Sequence, residues 1–375
     1  MPKDPATLAS DTSPGCYDLF DAAAIRAEVD AHLAGFLQDQ AESACGGRLP
    51  TLVTDILARF LRGGKRLRPL LCTLGSLAAG GCVGPPVIAV AASLEMFHAF
   101  ALIHDDVMDR SATRRGAPTV QQELAGHYLA QAPRRSGSRH IAQAAAFGNA
   151  GAILIGDLAL VWSVHMLAAA GLDAHRFART RTVINEMHHD VIYGQWLDLH
   201  AVGGSDSDVE TPLSVIRYKT AKYSVERPLH LGAVLADAPP AALKALTTYA
   251  LPIGEAFQLR DDLLGVFGDP SVTGKPVTDD LREGRRTLLL ATAHALADPD
   301  QRRILARHVG DPLLTEHGAS AVRTVLNETG APEHVERRIA TLRDEALRGL
   351  DDAPITTASK AELRTFAHHM TERTA

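Results

Sequence analysis

Leu94-Glu95-Met96-Phe97-His98-Ala99-Phe100-Ala101-Leu102-Ile103-His104-Asp105-Asp106-Val107-Met108-Asp109-Arg110 is an apolar, helix-compatible segment that finishes in acid. Carboxylates at a helix C-terminus oppose the macrodipole and repel one another, at a cost of roughly a few tenths of a kcal/mol each, so helix propensity does not explain them. Asp105 and Asp109 are four residues apart and share one face, about 6 Å apart along the axis. A second apolar segment closes the same way, Phe257-Gln258-Leu259-Arg260-Asp261-Asp262, and runs on to Asp269. Hard oxygen ligands of this kind select Mg²⁺, which keeps waters and takes one or two carboxylates plus substrate phosphate.

The helical period extends outward from these segments. Leu52, Val53, Ile56, Leu57, Phe60 and Leu61 form a stripe that stops at Gly63-Gly64, and Val335, Ile339, Leu342 and Ala346 mark the apolar face of a surface helix. Gly/Pro breaks cut the chain into about ten helical segments, with no linker between domains and no repeat. The expected fold is all-α, a single large helical domain over residues 17–375 behind a flexible tail at 1–16, with loops at 118–140 and 202–212. The 375 residues are 46% hydrophobic and only 5% aromatic, which suits a helical core rich in Ala and Leu.

A formal net charge of −6 argues against binding nucleic acid or an anionic membrane by bulk charge. The apolar stretch from Ala144 to Leu172 is interrupted by Asn149, Asp157 and His165, so it reads as a core helix and not as a membrane span. Cys16, Cys45, Cys72 and Cys82 show no C-x-x-C spacing. Reduced thiols in a cytoplasmic protein are expected, with Cys72 and Cys82 as buried small hydrophobes.

Basic motifs accompany the acidic ones. Gly63-Gly64-Lys65-Arg66-Leu67-Arg68-Pro69 sets three cations at a helix start, where free backbone N–H groups also favour anions. Arg114-Arg115-Gly116 follows the first acidic cluster; Lys275 and Arg285-Arg286 follow the second. Guanidinium forks match phosphate oxygens bidentately, so the combination reads as a diphosphate site.

These motifs, with Tyr218-Lys219-Thr220-Ala221 between them, resemble in order and spacing the trans-isoprenyl diphosphate synthase family, most of all its bacterial geranylgeranyl diphosphate synthases. The resemblance runs from about residue 20 to the C-terminus. It implies an all-α fold around a central cavity, a homodimer, Mg²⁺ as cofactor with three ions when substrate is bound, and isopentenyl and allylic diphosphates as partners. Carried over by position, it assigns Asp105, Asp109 and Asp261 to the metal, with Asp106 and Asp262 beside them. It assigns Arg114, Lys219 and Lys275 to the allylic diphosphate, Lys65, Arg68, His98 and Arg115 to isopentenyl diphosphate, and Arg285 to substrate binding. Thr220 and Gln258 fall near the reacting carbons, and Gln195 and Asp198 in supporting positions. Gly265 departs from the family pattern, which often has a third Asp there, and Arg285 replaces a frequent Lys.

Phe100 lies five residues before Asp105, about 7.5 Å down the axis. In the family an aromatic there stops the growing chain, and with small Ala101 beside it and Phe97 below, a C20 product is expected. Shorter C10 or C15 products are the alternatives within the family. A terpene cyclase, which needs no isopentenyl site, and a non-catalytic synthase subunit are the alternatives outside it. His188-His189-Asp190 is read as structural, since adjacent histidines point apart on a helix.

Overall fold

The computed structural model describes residues 16–43, 51–131, 137–201, 206–268 and 278–373, and it is all-α apart from one two-residue hairpin. Near the N-terminus stand α1 (Ala22–Ser43), α2 (Thr51–Phe60), α3 (Leu67–Ala78) and α4 (Pro85–Met108). The hairpin β1 (Thr113–Arg114) and β2 (Ala117–Pro118) leads to α5 (Val120–Gln131), α6 (Ser138–Ala168) and α7 (Ala174–Ala201). Next come α8 (Glu210–Val215), a π-helix (Ile216–Glu226) and α9 (Arg227–Leu235) in one unbroken rod, and then α10 (Pro240–Phe267). The C-terminal part holds α11 (Asp279–Glu283), α12 (Leu288–Leu296), α13 (Pro299–His308), α14 (Glu316–Glu328), α15 (Ala331–Gly349) and α16 (Thr357–Thr371).

The helix boundaries follow local chemistry. Gly84 in extended conformation precedes Pro85 and Pro86 at the start of α4, where a missing N–H costs nothing. Asp298 caps α13 in a capping box with Gln301. Three apolar clusters unite the rods. Ile25, Leu57, Phe97 and Met166 join α1, α2, α4 and α6; Leu259, Leu289, Val322 and Ile339 join α10 to the C-terminal helices; Leu71, Leu229, Tyr249 and Leu363 join α3, α9, α10 and α16.

Three expectations are corrected. Residues 120–131, expected within a loop, form α5, which buries Val120, Gln121 and Leu124 along one side. Asp261 and Asp262 do not end their helix, because α10 continues to Phe267. Cys82 is not a free buried thiol: it is disulfide-bonded to Cys16, 66 residues away. An antiparallel bridge between Tyr17 and Val83 brings the two cysteines together, a tertiary pairing that their spacing does not announce. Cys72 is free and buried, as expected. α4 and α6 are each long and apolar enough to cross a membrane by length and composition, and buried core helices pass the same test.

Candidate active site

A cavity of about 1920 Å³ opens between α1, α3, α4, α7, the π-helix and α10. Asp105 and Asp261 both line it, so the two acidic segments face one space. The π-helix carries Lys219 and Thr220 to the cavity wall. It fits because its neighbours are glycines at the crossings: a Cβ on Gly194 would stand 2.5 Å from Lys219 N, and one on Gly254 would stand 2.5 Å from Ala221 Cα. A π-turn inside a helix is rare and is often found at a functional site.

Asp105, Asp109 and Asp261 each meet a cation. Lys219 Nζ donates to Asp105 Oδ1 at 2.9 Å and to Asp198 Oδ2 at 2.8 Å. Arg285 Nη2 donates to Asp109 Oδ2 at 2.7 Å. Arg373 Nη2 donates to Asp261 Oδ1 at 2.6 Å, and its guanidinium lies 4.3 Å from the Phe257 ring centre. Asp106 is fully buried and holds Arg114 through two hydrogen bonds of 2.7 Å, so it orients that arginine and does not face the cavity.

The charges are unevenly balanced. Burial works to raise the Asp105 carboxyl, but Lys219 and Arg285 outweigh it and hold the pKa below the usual range. Burial and the neighbouring Asp105 push Asp109 up to about 6. Burial, with Asp261 and Asp280 adding to it, pushes Asp262 up to about 7 against a hydrogen bond from Gln258. Burial would lower Arg285, but Asp109 and Glu283 raise it overall. Asp109 and Asp262 are therefore carboxylates short of positive charge.

A hard divalent cation fits this donor set, which is all oxygen and incompletely neutralised. Among the described residues no three acidic, His or Cys side chains close a cage by themselves, which suits an ion that completes its shell with water and phosphate.

Further basic residues line the same cavity. Arg68 Nη2 donates to Ser224 Oγ at 2.6 Å, and its guanidinium lies 4.3 Å from the Tyr223 ring centre. His98 Nδ1 meets the Tyr223 hydroxyl at 3.0 Å; burial and the arginines around it push His98 well below the usual range, so its ring is neutral. Arg115 lies over Gly64, where a Cβ would come within 3.2 Å of its guanidinium. Lys65 also lines the cavity, its pKa lowered by burial and by Arg373. Arg66 is engaged elsewhere, in ion pairs with Asp30 and Glu95. Thr220 Oγ1 donates to Gln258 Oε1 at 2.8 Å, and Gln258 Nε2 donates to Asp262 Oδ1 at 2.9 Å, a chain that fixes both groups at the cavity surface.

The arrangement, carboxylates of both acidic segments and a set of cations lining one cavity, can hold two diphosphates. Residues 50–325 match the family model for polyprenyl synthetase. The chain belongs to the polyprenyl synthetase family. It is 34% identical to a geranylfarnesyl diphosphate synthase of Aeropyrum pernix, over 80% of this chain and 87% of that one. It is 32% identical to a (2E,6E)-farnesyl diphosphate synthase of Mycobacterium bovis, over 83% and 80%. Its structure is similar to a geranylgeranyl pyrophosphate synthase of Corynebacterium glutamicum in complex with isoprenyl diphosphate and magnesium, with TM-score 0.88 and 41% identity over 94% of this chain and 99% of that one. Members of the family are transferases that build isoprenyl diphosphates.

Within this family site, Lys65, Arg68, His98, Asp105, Arg114, Arg115, Lys219, Thr220, Gln258, Asp261 and Arg285 all reach the cavity, as do Phe100 and Ala101. Phe97 stands behind Phe100 and is 1% exposed. Lys275 and Asp269 lie outside the described residues. Sequence reasoning missed Tyr223 and Ser224, although they follow Lys219 by about one turn. It missed Arg373, which no motif signals. It also missed Asp280: a Cβ on Gly265 would sit 1.8 Å from Asp280 Oδ2, so a carboxylate from α11 fills the space that Gly265 leaves.

Proposed function

We propose that the chain catalyses the Mg²⁺-dependent head-to-tail condensation of isopentenyl diphosphate with allylic diphosphates, with geranylgeranyl diphosphate, C20, as the main product. The observation that carries this reading is that one cavity presents both acidic clusters and a separate set of cations, Lys65, Arg68 and Arg115, which a single-substrate cyclase would not need.

In this account Arg114, Lys219 and Arg285 hold the allylic diphosphate, while Lys65, Arg68, His98 and Arg115 hold isopentenyl diphosphate. Asp105, Asp109 and Asp261, with Asp262 adjacent, would hold Mg²⁺, which would supply Lewis acidity toward the departing diphosphate. The allylic C–O bond breaks and the diphosphate leaves with the electron pair. The double bond of isopentenyl diphosphate then attacks the allylic carbon, forming one C–C bond. A proton is lost from the new unit to the released diphosphate, so no protein base is required. The Thr220 hydroxyl oxygen and Gln258 Oε1 face the developing positive charge, and the apolar lower cavity excludes water that would trap it.

Phe100, at the cavity wall below Asp105, sets the depth that selects C20. The outer faces of α6 and α7 expose Leu154, Val161 and Tyr193, an apolar surface that a second copy would cover, which supports a homodimer. The activity is tested by incubating the protein with isopentenyl diphosphate and C5, C10 or C15 allylic diphosphates and reading products by chain length. A primer that ionises alone to a hydrocarbon would establish the cyclase reading instead.

A further inference from the structure

Phe100 does not stand alone. Beneath the first acidic cluster, aromatic rings stack from one helix to the next. Phe100 lies 4.8 Å from the His104 ring and 5.2 Å from Phe97, measured between ring centres. Phe97 is gripped from two sides: His188, on α7, stacks on it at 4.2 Å with planes 13° apart, and Tyr223, on the π-helix, meets it edge-on at 5.8 Å. At the other end His104 is seated against α6. Its Nε2 lies 3.0 Å from Ile153 O, and a Cβ on Gly156 would come within 2.3 Å of its ring.

The cavity floor is thus one member of a column whose two ends are set by α6 and α7. Phe97 and Phe100 are three residues apart on α4, so their rings neighbour one another and neither moves far unless the other yields. His188 does not line the cavity and reaches the site only through Phe97. Burial and the adjacent His189 hold its pKa down, so the ring stacks as a neutral imidazole.

From this geometry we infer that His188 is a positioning residue for product length: by stacking on Phe97 it keeps Phe100 raised, and without it the column settles toward α7 and the cavity deepens. The inference rests on the condensation reading above and goes beyond it. It places part of the length control on a helix that does not carry the aspartates, in a residue the prenyl chain never contacts. Gly156 is the matching contact on α6, since a side chain there would displace His104 and tilt Phe100 from the other end.

The test compares wild type with His188→Ala and His188→Phe, each first checked for a cooperative melt. His188→Ala is expected to shift the main product by at least one C5 unit toward longer chains while total isopentenyl incorporation stays near wild type. His188→Phe, which restores a flat ring against Phe97, is expected to keep the wild-type distribution. If His188→Ala does not fold, His188→Leu, which fills the space without a flat face, is read in its place and is expected to lengthen the product less. Calorimetric affinities for C15, C20 and C25 diphosphates read the same floor without turnover, and His188→Ala is expected to favour C25 over C20 relative to wild type.

An unchanged distribution and unchanged affinity ratios in a folded His188→Ala would overturn the inference, as would a His188→Phe that lengthens the product as much as His188→Ala does. A wild type that makes a main product other than C20, or that binds these diphosphates without condensing them, would count against the proposed function, and the shift between variants would still decide the role of His188.

Discussion

Lys219 Nζ bridges Asp105 Oδ1 at 2.9 Å and Asp198 Oδ2 at 2.8 Å, so one ammonium ties the first acidic cluster on α4 to α7 through the π-helix between them. Burial lowers the Lys219 pKa, and the two carboxylates raise it further than burial lowers it, leaving the charge fixed. A fixed cation in the cavity wall is arranged to meet a polyanion, as the proposed function requires.

Lys219→Met is therefore expected to lower kcat/KM for the allylic substrate by about 10²- to 10³-fold, the usual loss when one preorganised electrostatic contact is removed. Asp198→Asn, which only orients Lys219, is expected to cost about 10- to 100-fold. Steady-state kinetics on both variants check the order.

The proposed function gives the two substrates different basic residues. Lys65→Gln and Arg115→Gln are then expected to raise KM for isopentenyl diphosphate by about 10- to 100-fold, from ~1.5–3 kcal/mol per charged hydrogen bond, and to leave KM for the allylic substrate near wild type. A rise in the allylic KM of the same size would contradict that assignment.

Phe100→Ala is expected to lengthen the product by one or more C5 units, because Phe100 lines the cavity five residues before Asp105 on α4 and the proposed function makes its side chain the barrier to the growing chain. Chromatography of dephosphorylated products checks it, and an unchanged profile would remove Phe100 from the floor.

The fold and the main site were legible where the signal is local. Asp105 and Asp109 announce themselves because four residues of helix put them on one face, and the Gly63-Gly64 pair marks a helix start by backbone need. What was not legible depends on distant packing. Asp106 looks like an equal member of its cluster, yet one step around the helix turns it to Arg114. Asp280 reaches the space at Gly265 from another helix. Cys16 and Cys82 meet only because Tyr17 pairs with Val83. Half of residues 120–131 are apolar, but only Val120 and Leu124 among them are buried, too sparse a stripe to mark α5.

Stability is expected to depend on pH through His188. Burial and His189 lower its pKa from 6.5 to about 4, so the folded state favours the neutral ring. The contribution is complete above pH 6.5 and is lost as pH falls toward 4, by about 2–3 kcal/mol. Denaturation of wild type and His188→Phe between pH 7 and 4.5 checks this, with a flatter profile expected for the variant.

The Cys16–Cys82 bridge closes a long loop, 66 residues in sequence. In the chain-entropy account Cys16→Ser is expected to destabilise the oxidised protein by up to about 4 kcal/mol and to have little effect under reducing conditions. Denaturant titrations with and without reductant measure the difference.

The central claim, a metal-dependent condensation of two diphosphates in one cavity, is tested most directly by incubating the protein with isopentenyl diphosphate and farnesyl diphosphate, with Mg²⁺ or with EDTA, and identifying the products. The account predicts geranylgeranyl diphosphate with Mg²⁺ and no condensation with EDTA. Condensation that persists in EDTA, or release of pyrophosphate with no C–C bond formed, would contradict it.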